Sequence, residues 1–407
     1  MTEKKKSGFA TLAKSSLAPQ EQLMKVKKKN NTFCIGLPRE ISLQENRISL
    51  TPDAVALLVN NGHEVIVERK AGDGSKFSDK EYSEAGAQIV YSPEEIYKAD
   101  VILKIEPPTL EEIEYFRPGQ VLISALQLGH LQKDYVQALL KKRVTALAWE
   151  YIEDKVGGIP IVRAMSEIAG SAVVLIAAEY LSSNNKGKGI ILGGITGVPP
   201  TKMVIIGAGT VAEYCGRAAL SLGAEIQVFD NHLYKLRRIK HTLGQQFYTS
   251  TIDTVTLSES LKTADVVVGA LRAEKGRVRH VISEEMVQQM KPDSLIIDLS
   301  ADQGGCVATS EMTTHSKPVF KKYDVIHYCV PNVASRVAHT ATTALSNIFT
   351  PTILRAAEEG GVEEMILGHR WFLRGIYTYK GNLTSESIAR KFKLKYKSIE
   401  LFVAARV

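Results

Sequence analysis

The run Met203-Val204-Ile205-Ile206 feeds directly into Gly207-Ala208-Gly209-Thr210-Val211-Ala212, and this junction restricts the chain to few folds. A short apolar stretch dominated by β-branched residues suits a buried parallel strand. Glu213 to Leu222 carries a helical pattern, Gly223 stops it, and Glu225-Ile226-Gln227-Val228-Phe229-Asp230 reads as a second strand. Strand, Gly-x-Gly-x-x-Ala turn, helix and strand make a βαβ unit with a dinucleotide fingerprint. Gly207 permits the tight turn, Gly209 lets the backbone approach a pyrophosphate, and Ala212 lets the helix lie close on the sheet. The pyrophosphate would sit at the helix N-terminus, where free N–H groups and the dipole favour an anion. Asp230 follows Ala212 by 18 residues, the place where an acid accepts hydrogen bonds from ribose hydroxyls. An acid there repels a 2′-phosphate, so NAD is expected rather than NADP. Lys235, Arg237 and Arg238 on the next turn soften that preference.

A chain of 407 residues exceeds the ~250–300 at which single cores stop growing, so about two domains are expected. Apolar strands are predicted at 33–37, 64–68, 101–105, 121–125 and 144–148, with helical patterns between them. Thr51-Pro52 supplies a cap and a first-turn proline for a helix over 51–61. A long small-residue helix is expected over 165–182. A second block follows, with strands at 266–269, 295–299 and 325–330, then helix over 339–360 and a last helix near Ser385. The alternation gives an α/β fold with two doubly wound parallel sheets. Because the fingerprint lies mid-chain, the Rossmann domain (161–338) is expected as an insertion in a discontinuous substrate domain (33–160 and 339–407). The ligand cleft then lies between the carboxyl ends of the two sheets.

The +7 net charge is unevenly placed: residues 1–33 hold eight lysines against Glu3 and Glu21, leaving the remaining 374 near neutral. Residues 1–32 read as a solvated basic arm without the interleaved aromatics of a nucleic-acid binder. No apolar run approaches a membrane span or a signal-peptide core. Four scattered cysteines (Cys34, Cys215, Cys306, Cys329) give neither a metal-ligand spacing nor a disulfide framework. A cytoplasmic protein without metal, nucleic-acid or membrane partner is expected.

Several motifs in order resemble the alanine dehydrogenase and pyridine nucleotide transhydrogenase family from Phe33 to about Ser387. They are Ile35-Gly36-Leu37-Pro38-Arg39-Glu40, Asn46-Arg47-Ile48-Ser49-Leu50-Thr51-Pro52, Gly62-His63-Glu64-Val65 and Met165-Ser166-Glu167-Ile168-Ala169-Gly170. Gly193-Gly194-Ile195-Thr196-Gly197-Val198, the fingerprint, and Asp302-Gln303-Gly304-Gly305 follow; the last points toward the alanine dehydrogenase branch. The resemblance implies NAD-dependent oxidative deamination of L-alanine to pyruvate and ammonia, by a homo-oligomer, a hexamer. It assigns Arg47 to the substrate carboxylate, a task suited to a planar guanidinium, against a plain ion pair as the alternative. It places Asp302 beside the reacting carbon, where a carboxylate stabilises developing iminium charge; a loop carboxylate bonding its own backbone is the alternative. Ser166 matches a phosphate-contacting hydroxyl and Asn332 a residue near the nicotinamide, and local capping would explain either equally.

Two positions depart from the family pattern. The family's Leu-Lys-x-Lys-Glu-Pro is Leu103-Lys104-Ile105-Glu106-Pro107-Pro108 here, so Glu106 replaces the second lysine. The family's acid/base histidine falls on Gln127 in Ser124-Ala125-Leu126-Gln127-Leu128. Deamination needs a group that titrates near neutral pH, and an amide does not. Lys104, two residues from Glu106 and on the same face, is a candidate to compensate for Glu106 or to neutralise it. His130 would reach the site only through a bend in its loop. Slow alanine turnover, a transhydrogenase-like hydride carrier, and a catalytically weak NAD-binding homologue are the readings these departures leave open.

Overall fold

The computed structural model describes residues 31–42, 44–127, 131–272 and 279–405. His130 and the arm up to residue 30 lie outside them. The chain first lays down β1 (Cys34–Leu37), β2 (Glu64–Glu68), β3 (Gln88–Val90), β4 (Val101–Leu103), β5 (Val121–Ser124) and β6 (Thr145–Ala148). It continues with β7 (Lys202–Ile206), β8 (Glu225–Phe229), β9 (Tyr248–Ser250), β10 (Val266–Gly269), β11 (Leu295–Asp298), β12 (Val319–Lys322) and β13 (Val325–Tyr328). It ends with β14 (Ile376–Tyr379) and β15 (Asn382–Leu383). One sheet runs β15-β14-β6-β5-β4-β1-β2-β3 and the other β12-β13-β11-β10-β7-β8-β9. The first sheet therefore draws on both ends of the chain and the second on its middle.

Neighbouring strands are parallel except at β6–β14, β14–β15 and β12–β13, so each sheet carries an antiparallel margin that the sequence did not signal. Short, partly polar segments such as Val319-Phe320-Lys321-Lys322 lack the period by which a strand is read. The central strands show the opposite pattern. β10, β11 and β13 are buried at every position, because helices cover both sheet faces. Successive residues enter opposite layers: Met203 and Ile205 join one core, Val204 and Ile206 the other.

Helix α1 (Pro52–Asn60) begins where Thr51 accepts from the Ala54 amide, with proline in its first turn. Helix α2 (Pro160–Leu181) starts five residues earlier than the sequence pattern, at a proline suited to that position. It is apolar and long enough to cross a membrane, but its Val173, Ile176 and Ala177 are spent in the core of the second sheet. It packs against α3 (Thr210–Ser221) at Gly170, where a Cβ would stand 2.5 Å from the Val211 carbonyl oxygen. Helix α4 (Ala338–Glu358) returns to the first sheet. Its hydroxyls hold the extended segment that carries Arg47: the Ile48 amide donates to Thr342 at 3.0 Å and the Thr51 amide to Ser346 at 3.1 Å. Buried backbone N–H groups outside a sheet need such partners.

Candidate active site

The carboxyl ends of both sheets open onto one cleft of about 660 Å³. Gly207 after β7 and Ala270 after β10 lie on its floor, at the point where the strand order of the second sheet reverses, the place a doubly wound sheet offers a ligand. Gly207 has φ +104°, and a Cβ there would stand 2.7 Å from the Ala270 carbonyl oxygen. Gly209 precedes the first turn of α3, and a Cβ on it would meet nothing within 4 Å. That open space above free helical N–H groups fits a pyrophosphate. Ala212 is fully buried and lets α3 close on the sheet.

Asp230 lines the same cleft. Its carboxylate accepts from the Ala208 amide at 2.9 Å and the His232 amide at 2.8 Å, and Lys235 stands 3.8 Å away. Burial works against its charge, yet these hydrogen bonds hold the carboxyl below its ordinary range. Asp230 thus braces the glycine loop as well as facing the ligand. Arg238 donates to the Ala208 carbonyl at 3.0 Å, which ties this cation to the loop backbone. Ser166 on α2 also lines the cleft, its hydroxyl donating to the Val162 carbonyl at 2.7 Å.

Asp302 reaches the cleft from a 3₁₀ turn over Ala301–Gln303, held from below by Asp298 at the end of β11. Asp298 is fully buried and accepts from the Ser300 amide (3.0 Å) and hydroxyl (2.7 Å), the Cys306 amide (2.9 Å) and the Ser310 hydroxyl (2.7 Å). Glycines make room for it: a Cβ on Gly305 would stand 2.9 Å from its Oδ2, and one on Gly269 3.0 Å from its Oδ1.

The opposite wall comes from the ends of β5 and β6, through Gln127 and Glu150. Gln127 has φ +47°, a conformation uncommon for a side chain of its size. Glu150 holds that turn by accepting from the Gln127 amide at 2.7 Å and the Leu126 amide at 3.2 Å. Burial nevertheless raises the Glu150 carboxyl to about 7.

Behind Gln127 lies a buried charge cluster. Arg47 is gripped by Glu45, with Nε to Oε1 at 2.7 Å and Nη2 to Oε2 at 2.6 Å, while Nη1 rests 3.3 Å from the Met165 sulfur. Lys104 pairs with Glu40 at 2.8 Å and Glu112 at 3.6 Å. Burial disfavours both cations, but their carboxylate partners hold each above its ordinary value. Glu106 accepts from Gln127 Nε2 at 2.8 Å and lies 4.0 Å from Arg47. Burial, then repulsion by Glu45, raises its carboxyl to about 7. Asn332 donates to Glu45 at 3.4 Å.

The structure therefore gathers Gly207, Gly209, Asp230, Lys235, Ser166, Asp302 and Gln127 around one cleft. Arg47, Lys104, Glu106 and Asn332 form a layer behind it, joined to the cleft through the Gln127–Glu106 hydrogen bond. Lys104 spends its charge on Glu40 and Glu112 rather than on Glu106. Sequence reasoning assigned nothing to Glu45, Asp298 or Glu150. The position of Glu150 at the end of a predicted strand was the available signal.

Comparison with known proteins gives the family. Residues 36–169 match the family described as alanine dehydrogenase/PNT, N-terminal domain, and residues 173–386 match its C-terminal domain. Alanine dehydrogenase 2 of Staphylococcus aureus (strain USA300) is 37% identical over 367 residues, 90% of this chain and 98% of that protein. The solved structure titled L-alanine dehydrogenase superposes with a TM-score of 0.82 at 32% identity, covering 88% of this chain and 99% of the other. A transhydrogenase from Sinorhizobium meliloti shares the fold, with a TM-score of 0.74 at 22% identity over 87% of this chain and 99% of its own. A Rossmann unit with its glycine loop, acid and cleft, set in a chain matched along nearly its whole length, makes this protein a member of the alanine dehydrogenase/PNT family.

Proposed function

We propose that this protein is an NAD-dependent alanine dehydrogenase, converting L-alanine and water to pyruvate and ammonium. The observation that carries this reading is the single cleft with the nucleotide loop on its floor and Asp302, Gln127 and Glu150 around it. NAD supplies the hydride acceptor. The N–H groups opening α3 would hold its phosphates, with the Ser166 hydroxyl turning from the Val162 carbonyl to donate to them, and Asp230 would hold the adenosine ribose. Asp302 faces the reacting carbon and stabilises positive charge developing on the substrate nitrogen. Arg47, in the layer behind Gln127 and paired with Glu45, is the cation whose charge draws the substrate carboxylate toward that wall, and Asn332 sets the position of the pair on the nicotinamide side. The nucleotide domain spans residues 161–338, within a substrate domain of 33–160 and 339–407. The protein works in the cytoplasm as a homo-oligomer, a hexamer.

Turnover of L-alanine with NAD, followed by NADH absorbance, tests the reading; transfer from NADH to an NADP analogue tests the hydride-carrier alternative. Activity only in the second assay, or in neither, would overturn the proposal.

The same site sets the cofactor preference. NAD should bind more tightly than NADP, because Asp230 remains charged and Arg238 is engaged by the glycine loop. Asp230→Ala should weaken NAD binding by about 1–3 kcal/mol, the order of charge-assisted hydrogen bonds. Fluorescence titration of both cofactors checks this, and tighter NADP binding by the wild type contradicts it.

A further inference from the structure

Four carboxylates and two cations are buried together behind Gln127, and their pairing is unequal. Glu45 takes Arg47 through two parallel hydrogen bonds. Glu40 takes Lys104 at 2.8 Å, and Glu112 shares Lys104 at 3.6 Å while accepting from the Thr109 amide that opens its own helix. Glu106 has no cation to itself. Its carboxylate accepts one hydrogen bond among the described residues, from the neutral amide of Gln127, and its nearest cation already belongs to Glu45. Burying a second full negative charge beside Glu45 is costly, so the excess is relieved by a proton; Glu40 is engaged by the Lys104 ammonium and the Ile105 amide, which leaves Glu106, held by one neutral donor, as the carboxyl placed to exchange it.

Gln127 suits a partner that changes protonation state. Its amide donates Nε2–H to a carboxylate and, turned over, offers its carbonyl oxygen to a carboxylic O–H. Lysine or arginine at this position would fix Glu106 as a carboxylate. Gln127 also lines the cleft, so the Glu106 carboxyl stands directly behind the wall that faces the substrate.

We propose that Glu106 is the proton-carrying group of the amino-acid site, with Gln127 as its positioning residue in both protonation states. The inference rests on the reading of this cleft as an amino-acid dehydrogenase site. In deamination the α-ammonium of the substrate gives up one proton, which passes by way of a water at the Gln127 wall to the Glu106 carboxylate, leaving a neutral amine whose lone pair forms the C=N bond as the α-carbon gives its hydride to the acceptor that NAD supplies. Water then adds to that carbon, and the C–N bond breaks to give pyruvate and ammonium. The proton on Glu106 leaves to solvent and accounts for the one proton released per turnover.

This assignment fixes the sign of the pH dependence. Glu106 must be ionised to accept, so kcat/KM for L-alanine rises with pH and levels off above about 7, where burial places its carboxyl. The charged groups that share its surroundings are Glu40, Glu45, Arg47, Lys104 and Glu112 within the cluster. Glu150 lies across Gln127 and is itself raised to about 7, and His315 lies beyond Glu45, with burial pushing its imidazole down. Burial pushes the Glu40 carboxyl up as well, but it is paired with Lys104 and does not line the cleft, so Glu150 is the group to separate from Glu106.

The test is the pH profile of kcat/KM for L-alanine in wild type, Glu106→Gln, Glu106→Asp and Glu150→Gln, with NAD affinity measured for each to establish that the fold is intact. Glu106→Gln should lose about 10²–10⁴-fold in kcat/KM, the usual worth of a positioned acid/base group, and should lose the bend near pH 7. Glu106→Asp should restore the bend at a reduced rate, and Glu150→Gln should keep it whatever its rate. A bend that survives in Glu106→Gln, or disappears in Glu150→Gln, overturns the proposal while leaving the dehydrogenase reading in place. A wild type that binds NAD but oxidises no L-alanine removes that reading, and the proposal with it.

Discussion

Asp298→Ala should destabilise the protein by about 2–6 kcal/mol, the cost of leaving two buried amides without an acceptor. Few side chains outside the charge cluster are as fully committed. Ser300, Cys306, Val307 and Ser310 all aim donors at this carboxylate. Alanine would strand the Cys306 and Val307 amides in a site with no water access, and each unsatisfied buried donor costs roughly 1–3 kcal/mol. Asn is a poor substitute because its NH₂ would face donors on one side. The loop it anchors carries Asp302, so turnover should fall along with stability. Asp302→Ala provides the contrast: it sits at the cleft rather than beneath it, and should depress kcat while leaving the unfolding midpoint close to wild type. Urea unfolding of both variants, with unchanged slope, decides the matter. An Asp298→Ala protein as stable as wild type would mean that water or a backbone shift satisfies the orphaned amides.

The contrast between these two aspartates also shows what the sequence made legible. Asp302 stands in a motif and can be matched to a role. Asp298 ends an ordinary apolar strand, Leu295-Ile296-Ile297-Asp298, and nothing in its spacing reveals that five later amide and hydroxyl groups fold back onto it. The central strands, the glycine turn and α1 were readable because local chemistry dictates them: β-branched runs, a positive-φ glycine, and a Thr-Pro helix start. The antiparallel strand β14 was not, because its burial comes from pairing with β6 more than two hundred residues earlier. Lys104 shows the same limit at the site. A two-residue spacing places it on the face of Glu106, but which carboxylate claims the ammonium depends on Glu40 and Glu112, which arrive from other parts of the fold.

Exchanging Glu106 for lysine should abolish most turnover, and adding Gln127→His should recover much of it. The single change removes the carboxylate that takes the proton and sets an ammonium near Arg47, whose own charge Glu45, with Glu40 farther off, then offsets. A loss of about 10²–10⁴-fold is expected from the missing acid/base group alone. Gln127→His by itself leaves Glu106 in place, 2.8 Å from the exchanged side chain, and should alter the rate far less. Together the two changes install the lysine and histidine that the family resemblance implies at these positions. The imidazole titrates near neutrality and takes over the proton, while the lysine polarises the substrate. Histidine is also among the residues that tolerate the positive φ of position 127. Because the two side chains touch, their effects should not add, and the double-mutant cycle should show an interaction of roughly 0.5–3 kcal/mol in favour of the pair. Steady-state kinetics on the wild type and the three variants measures it. Additive losses would mean that positions 106 and 127 do not serve one transition state, and that the proton travels by another route through the cleft, for which Glu150 is then the group in place.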